Sequence, residues 1–140
     1  METRRVMRDP REESGLRLAY MGDAVFEIHI RRWLMEQSLL PVGALHKASI
    51  DFVKASAQAS FYHLIEDRLT EAEAAVMRRG RNAKSGMVPR KADINDYRKA
   101  TGLEALMGFL YLKGEEKRIE EVMGWIFEST QIGSEEETQS

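Results

Sequence analysis

The chain has 140 residues, 43% of them hydrophobic and 31% charged, with no cysteine and a formal net charge of −2. That length suits one domain whose core needs no covalent staples, and the missing cysteines exclude a disulfide framework and any cysteine-ligated zinc or iron–sulfur site. No apolar run approaches the ~18 residues that span a bilayer, and the polar start Met1-Glu2-Thr3-Arg4-Arg5 is not a secretion segment, so a soluble, cytoplasmic protein with no membrane partner is expected.

Asp9-Pro10 predicts a helix start, with Asp9 as cap and proline in the first turn. That helix runs to about Gln37, with Leu18, Met21, Val25 and Ile28 as its apolar stripe, and residues 38–43 break it. Residues 44–67 read as helix, in one piece or two, with Phe52, Ala55, Ala59, Tyr62 and Leu69 along one side. Thr70-Glu71-Ala72-Glu73 fits a capping box for a helix reaching about Arg79. Gly80 and Asn82 both tolerate positive φ, so residues 80–92 are expected as loop. Asp93 can cap the next helix, whose core face would be Leu103, Leu106, Met107, Leu110 and Tyr111, and Gly114 ends it. Ile119, Val122, Met123 and Ile126 mark a last helix. Residues 133–140 read as a polar, disordered tail. With no strand alternation, repeat or linker, the expectation is one all-α domain over residues 1–132.

Charge is unevenly spread. Residues 78–99 hold Arg78, Arg79, Arg81, Lys84, Arg90, Lys91, Arg98 and Lys99 against Asp93 and Asp96, a local charge of +6 that leaves −8 on the remainder. A basic block on an acidic chain points to a polyanionic partner; a solvated charged loop is the plain alternative.

No nucleophile triad, glycine-rich phosphate loop or His-Glu-x-x-His is legible, and His29, His46 and His63 are scattered. Two carboxylates carry more information. Asp23 lies within residues 18–26 and Glu104 within 101–109, runs otherwise free of charge. A charge in such surroundings is costly unless paired or bound to a metal. Gly22 and Ala24 flank Asp23, and Gly108 follows Glu104 by one turn; small residues admit a second backbone, a metal or a phosphate. Either each acid pairs with an arginine across the core, or the two belong to a site.

Tyr20-Met21-Gly22-Asp23-Ala24-Val25-Phe26-Glu27 resembles the signature of the ribonuclease III family, and Leu103-Glu104-Ala105-Leu106-Met107-Gly108 followed by Leu110-Tyr111-Leu112 resembles its second motif. Arg79-Gly80-Arg81-Asn82-Ala83-Lys84-Ser85-Gly86, together with Leu45-His46-Lys47 and Tyr97-Arg98, is similar to the Mini-III ribonucleases, members that lack the double-stranded-RNA-binding domain. The resemblance covers roughly residues 14–130 in order. Two acidic positions of the larger family are Ala19 and Thr101 here, as in the Mini-III group.

The resemblance implies a ribonuclease III-type endonuclease fold assembled as a symmetric homodimer. It implies cleavage of double-stranded RNA by magnesium-dependent hydrolysis, manganese being able to substitute, with 5′-phosphate and 3′-hydroxyl products and precursor 23S ribosomal RNA as substrate. Asp23 and Glu104 would be the catalytic, metal-holding residues, and Glu27 could orient a water beside them or pair with Arg31. Arg78, Arg79, Arg81, Asn82, Lys84, Ser85, Arg90 and Lys91 would bind RNA. Two rivals remain on sequence: a catalytically inactive structural RNA-binding protein of the same fold, and a helical interaction module that binds no nucleic acid.

Overall fold

The structure is a computed structural model and describes residues 6–84, 88–89 and 93–139, from residue 131 as backbone alone. Its described residues form six α-helices: α1 Gly15–Gln37, α2 Val42–Val53, α3 Ala55–Ile65, α4 Glu71–Asn82, α5 Ile94–Leu112 and α6 Glu116–Gln139. A single 3₁₀ turn, Glu66–Arg68, links α3 to α4.

Helix α5 is the axis, and α1, α4 and α3 pack around it. Ala100 to Leu103 and Ala105 to Leu110 are all buried, so α5 is enclosed on nearly every side rather than along one stripe. That is the position its composition demands, since a helix apolar all round belongs in the interior. Tyr111, expected on the core face, is 46% exposed. In α1 the buried line is Leu18, Gly22, Val25, Phe26, Ile30 and Leu34, whereas Ile28 is 65% exposed. An outward aliphatic at helical spacing is indistinguishable from a core one until the neighbouring helices are placed.

Local chemistry sets most boundaries. The capping box forms: Thr70 Oγ1 accepts from Glu73 N at 3.2 Å, and Glu73 Oε1 accepts from Thr70 N at 2.9 Å. Asp93 caps α5 by accepting from Asn95 N and Asp96 N. Gly114, at φ +75°, closes the helix as expected.

Three boundaries differ from expectation. Helix α1 starts at Gly15, where Ser14 accepts from Arg17 N; Asp9 instead accepts from Arg11 N in a turn outside the helix. Gly80 lies inside α4 and not in a loop. A Cβ there would stand 2.6 Å from Ala105 Cβ and 3.0 Å from Gly102 Cα, so glycine serves close helix packing and not positive φ. The backbone of α6 continues as helix through residues 133–139, expected as tail; the run has no proline, and Glu135, Glu136, Glu137 and Gln139 are competent helix formers.

Candidate active site

Two glycines create the site. A Cβ on Gly22 of α1 would land on the carbonyl oxygen of Glu104 and lie 2.8 Å from Gly108 N. A Cβ on Gly108 of α5 would land on the carbonyl oxygen of Leu18 and lie 3.0 Å from Gly22 N. The two helices therefore touch backbone to backbone, an approach only glycine permits. Asp23 follows Gly22 directly and Glu104 stands one turn before Gly108, so the same contact brings their carboxyls together. Asp23 is exposed and Glu104 half-buried, which puts the pair at an accessible edge of the crossing.

Burial raises the Glu104 carboxyl to about pKa 8. The Asp23 carboxyl pushes in the same direction, by accepting a hydrogen bond from the protonated form and repelling the ionised one. Gln58, on α3, opposes them and draws the value part of the way back. Its side chain is 3% exposed, and its Nε2, near enough to Glu104 to favour the ionised carboxylate, completes no hydrogen bond of ordinary geometry among the described residues. Neither Asp23 nor Glu104 forms an ion pair with a lysine or arginine among the described residues. The alternative left open by sequence, an arginine across the core, is therefore not what the described residues contain.

The donor set decides which cation the residues would fit. Two carboxylates supply hard oxygens, and no cluster of three or more His, Cys, Asp or Glu stands ready to hold a metal among the described residues. Zinc, with its preference for three or four nitrogen and sulfur ligands, has no cage here. Magnesium does fit, because it takes one or two carboxylates and fills the rest of its shell with water and phosphate oxygens. The buried amide N–H of Gln58 can serve the Glu104 carboxylate as a hydrogen-bond donor, though not the cation as a ligand. At the two positions without acids, Ala19 and Thr101 are buried, and Thr101 Oγ1 donates to Tyr97 O at 3.0 Å.

Other candidate residues divide. Glu27 Oε1 accepts from Arg31 Nη2 at 2.8 Å, one helical turn on. Arg79 is committed to the fold: its Nη1 donates to Arg11 O at 2.9 Å and its Nη2 to Glu13 O at 2.8 Å, tying the N-terminal segment to α4. Arg81 Nη1 donates to Tyr62 Oη at 3.1 Å and its Nε to Asn82 Oδ1 at 3.2 Å. Arg78 and Lys84 are exposed. Gly80 packs against Thr101, Gly102 and Ala105, so this basic end of α4 lies beside the turn of α5 that carries Glu104. Ser85, Arg90 and Lys91 lie outside the described residues. Gln58 is the residue that sequence reasoning missed; an amide among alanines and serines carries no signal of its own.

The family model of the Ribonuclease III domain matches residues 16–115. The Mini-ribonuclease 3 of Enterococcus faecalis is 44% identical over 121 residues, covering 85% of this chain and 92% of that protein. The Mini-ribonuclease 3 of Clostridium tetani is 43% identical over 130 residues, covering 92% and 86%. A crystal structure of a protein from Fusobacterium nucleatum superposes with a TM-score of 0.78 at 31% identity, over 89% of this chain and 99% of that one. A helical domain built on touching glycines that join one Asp and one Glu, matched over this extent, belongs to the ribonuclease III family, among the Mini-ribonuclease 3 endoribonucleases.

Proposed function

We propose that the chain is a magnesium-dependent endonuclease of double-stranded RNA, leaving 5′-phosphate and 3′-hydroxyl ends, and that it trims the paired ends of precursor 23S ribosomal RNA in the bacterial cytoplasm. The observation that carries this reading is the meeting of the Asp23 and Glu104 carboxyls where α1 and α5 touch, with no counter-charge among the described residues.

Asp23 and Glu104 would hold the magnesium ion, or manganese in its place. The chemistry that such an ion would supply is activation of a water for in-line attack and compensation of charge on the scissile phosphate. Asp23, exposed, faces the substrate side, and Glu104 supplies the second oxygen from the half-buried edge of α5. Arg78 and Lys84, exposed at the end of α4 beside this turn, neutralise flanking phosphates. Ser85, Arg90 and Lys91, outside the described residues, are assigned to RNA binding by sequence alone. A-form RNA hides its bases in a deep, narrow groove, so recognition through phosphates and 2′-hydroxyls suits a basic segment.

Cleavage of both strands calls for two sites, and a symmetric homodimer provides them. The outer side of α1 supports this: Tyr20 is 81% exposed, Ile28 65% and Met35 67%. Large apolar side chains exposed along one helix mark a contact surface. Residues 1–132 then act as one catalytic domain, in which the basic face and the dimer both contribute to binding the duplex.

The test is a hairpin RNA incubated with the protein, with and without magnesium, followed by mapping of both new ends. Staggered cuts with 5′-phosphates, only in magnesium, are expected. RNA left intact in magnesium would remove the reading.

A further inference from the structure

Five polar or charged side chains are buried among the described residues: Glu13, Ser49, Gln58, Glu73 and Thr101. Four have evident partners. Glu13 accepts from Ser14 N and Arg17 Nε, and Glu73 from Thr70 N and Arg118. Ser49 donates to His46 O and Thr101 to Tyr97 O. The Gln58 Nε2 alone is left without a partner. A buried N–H with nothing to donate to is a standing cost, and folded proteins rarely carry one without a use for it.

Position supplies the use. Gln58 sits on α3, which packs against α5, and its amide lies beside the Glu104 carboxyl. An ionised carboxylate needs donors around it. Asp23, once ionised, is itself only an acceptor. No lysine or arginine pairs with Glu104 among the described residues. Gln58 Nε2–H is the neutral donor at hand, and its enclosure in the core gives it a fixed direction.

We propose that Gln58 is a positioning residue of the Asp23–Glu104 centre: its Nε2–H donates to one oxygen of the ionised Glu104 and holds the carboxylate so that its other oxygen faces a divalent cation. The proposal rests on the reading of Asp23 and Glu104 as the pair that holds the metal. A neutral amide suits this task better than a lysine would, because it orients the carboxylate without competing with the cation for its charge. Partners that fix a ligand's orientation typically change metal affinity by about 10–100-fold when removed.

The experiment measures manganese binding to the full chain without RNA, from the free-ion signal in electron paramagnetic resonance, alongside thermal unfolding. The variants are Gln58→Leu, Gln58→Met and Glu104→Gln. Gln58→Leu and Gln58→Met are expected to weaken manganese binding about tenfold or more, at an unfolding temperature equal to or above that of the wild type, because an orphan donor has been replaced by apolar atoms. The magnesium concentration that half-saturates cleavage should rise in parallel. Wild-type manganese affinity in either folded Gln58 variant, with Glu104→Gln still losing the ion, overturns the positioning role and leaves the metal pair standing. Wild-type affinity in Glu104→Gln overturns both. Failure of both Gln58 variants to fold would make the residue structural and overturn the proposal as well.

Discussion

Glu73 and Glu104 are both drawn out of water against neighbouring helices, and they end with opposite acidities. Burial pushes Glu73 upward, but hydrogen bonds from Arg118 and from the Thr70 backbone outweigh it, and the carboxyl lies below its ordinary range. Its oxygens are fully engaged: Oε1 accepts from Arg118 Nη2 at 2.8 Å and from Thr70 N at 2.9 Å, and Oε2 accepts from Arg118 Nε at 2.9 Å. Arg118 also donates to Arg68 O and Glu121, and its guanidinium lies 5.1 Å from the centre of the Trp125 ring. Glu104 has burial without a cation, an acid for a neighbour, and a carboxyl raised to about 8. A carboxylate saturated by its own chain has nothing left to offer a ligand. One that the fold leaves short of positive charge is a place where a cation is worth most.

Removing each carboxylate should separate the two roles. Asp23→Asn and Glu104→Gln are expected to lower cleavage of a hairpin RNA by more than about a hundredfold, beyond the effect of losing a ligand's hydrogen-bond partner. RNA binding, by filter retention, should stay within a few fold, since the amides preserve shape. Near wild-type cleavage by either variant would place the metal elsewhere.

Arg118→Ala attacks the other glutamate. It strands Glu73 and is expected to cost about 2 kcal/mol of stability, less than the about 3–5 of a fully buried pair because Arg118 is 22% exposed. A group whose folded pKa is depressed stabilises the fold above its unfolded value, here 4.5, and loses that contribution as pH falls through the folded value. The gap between wild type and Arg118→Ala in urea unfolding should therefore be full at pH 7 and close below pH 4.5. A gap independent of pH would mean that Arg118 acts by packing on Trp125 and not by charge.

The basic residues sharpen the same contrast between engaged and free charge. Arg78→Ala with Lys84→Ala should weaken RNA affinity about tenfold, about 1.4 kcal/mol, and flatten its salt dependence. Stability should move by less than about 0.5 kcal/mol. Arg79→Ala, by contrast, removes two donors to the carbonyls of Arg11 and Glu13 and should destabilise the fold by about 1–2 kcal/mol. Equal unfolding temperatures for Arg79→Ala and the Arg78–Lys84 variant would erase the distinction.

Much of the fold is readable along the chain because its causes are local. The Thr70–Glu73 box, the Asp93 cap and Gly114 each act within a few residues, and each does in the structure what its type predicts. Errors arise where the cause is remote. Asp9-Pro10 has the chemistry of a helix start, but the cap is Ser14, just before Gly15, where a Cβ would stand 3.0 Å from Arg79 O and from Gly80 Cα. Gly80 has the look of a turn residue, and its reason is Ala105, twenty-five positions on. The basic block reads as one patch, but only tertiary hydrogen bonds separate Arg79 and Arg81 from Arg78 and Lys84.

The sequence by itself determined that this is a helical protein, that Asp23 and Glu104 are out of place in apolar runs, and that glycines stand beside them. These are statements about composition and spacing, and a charge among apolar residues is conspicuous wherever its partners lie. What only the tertiary structure decided is how the acids are surrounded. The contact of Gly22 with Gly108 joins residues eighty-six positions apart, and the packing of α3 on α5 sets Gln58 beside Glu104. An amide is ordinary in a helix and unusual only when buried without a partner, and burial is a property of the assembled core, not of the chain.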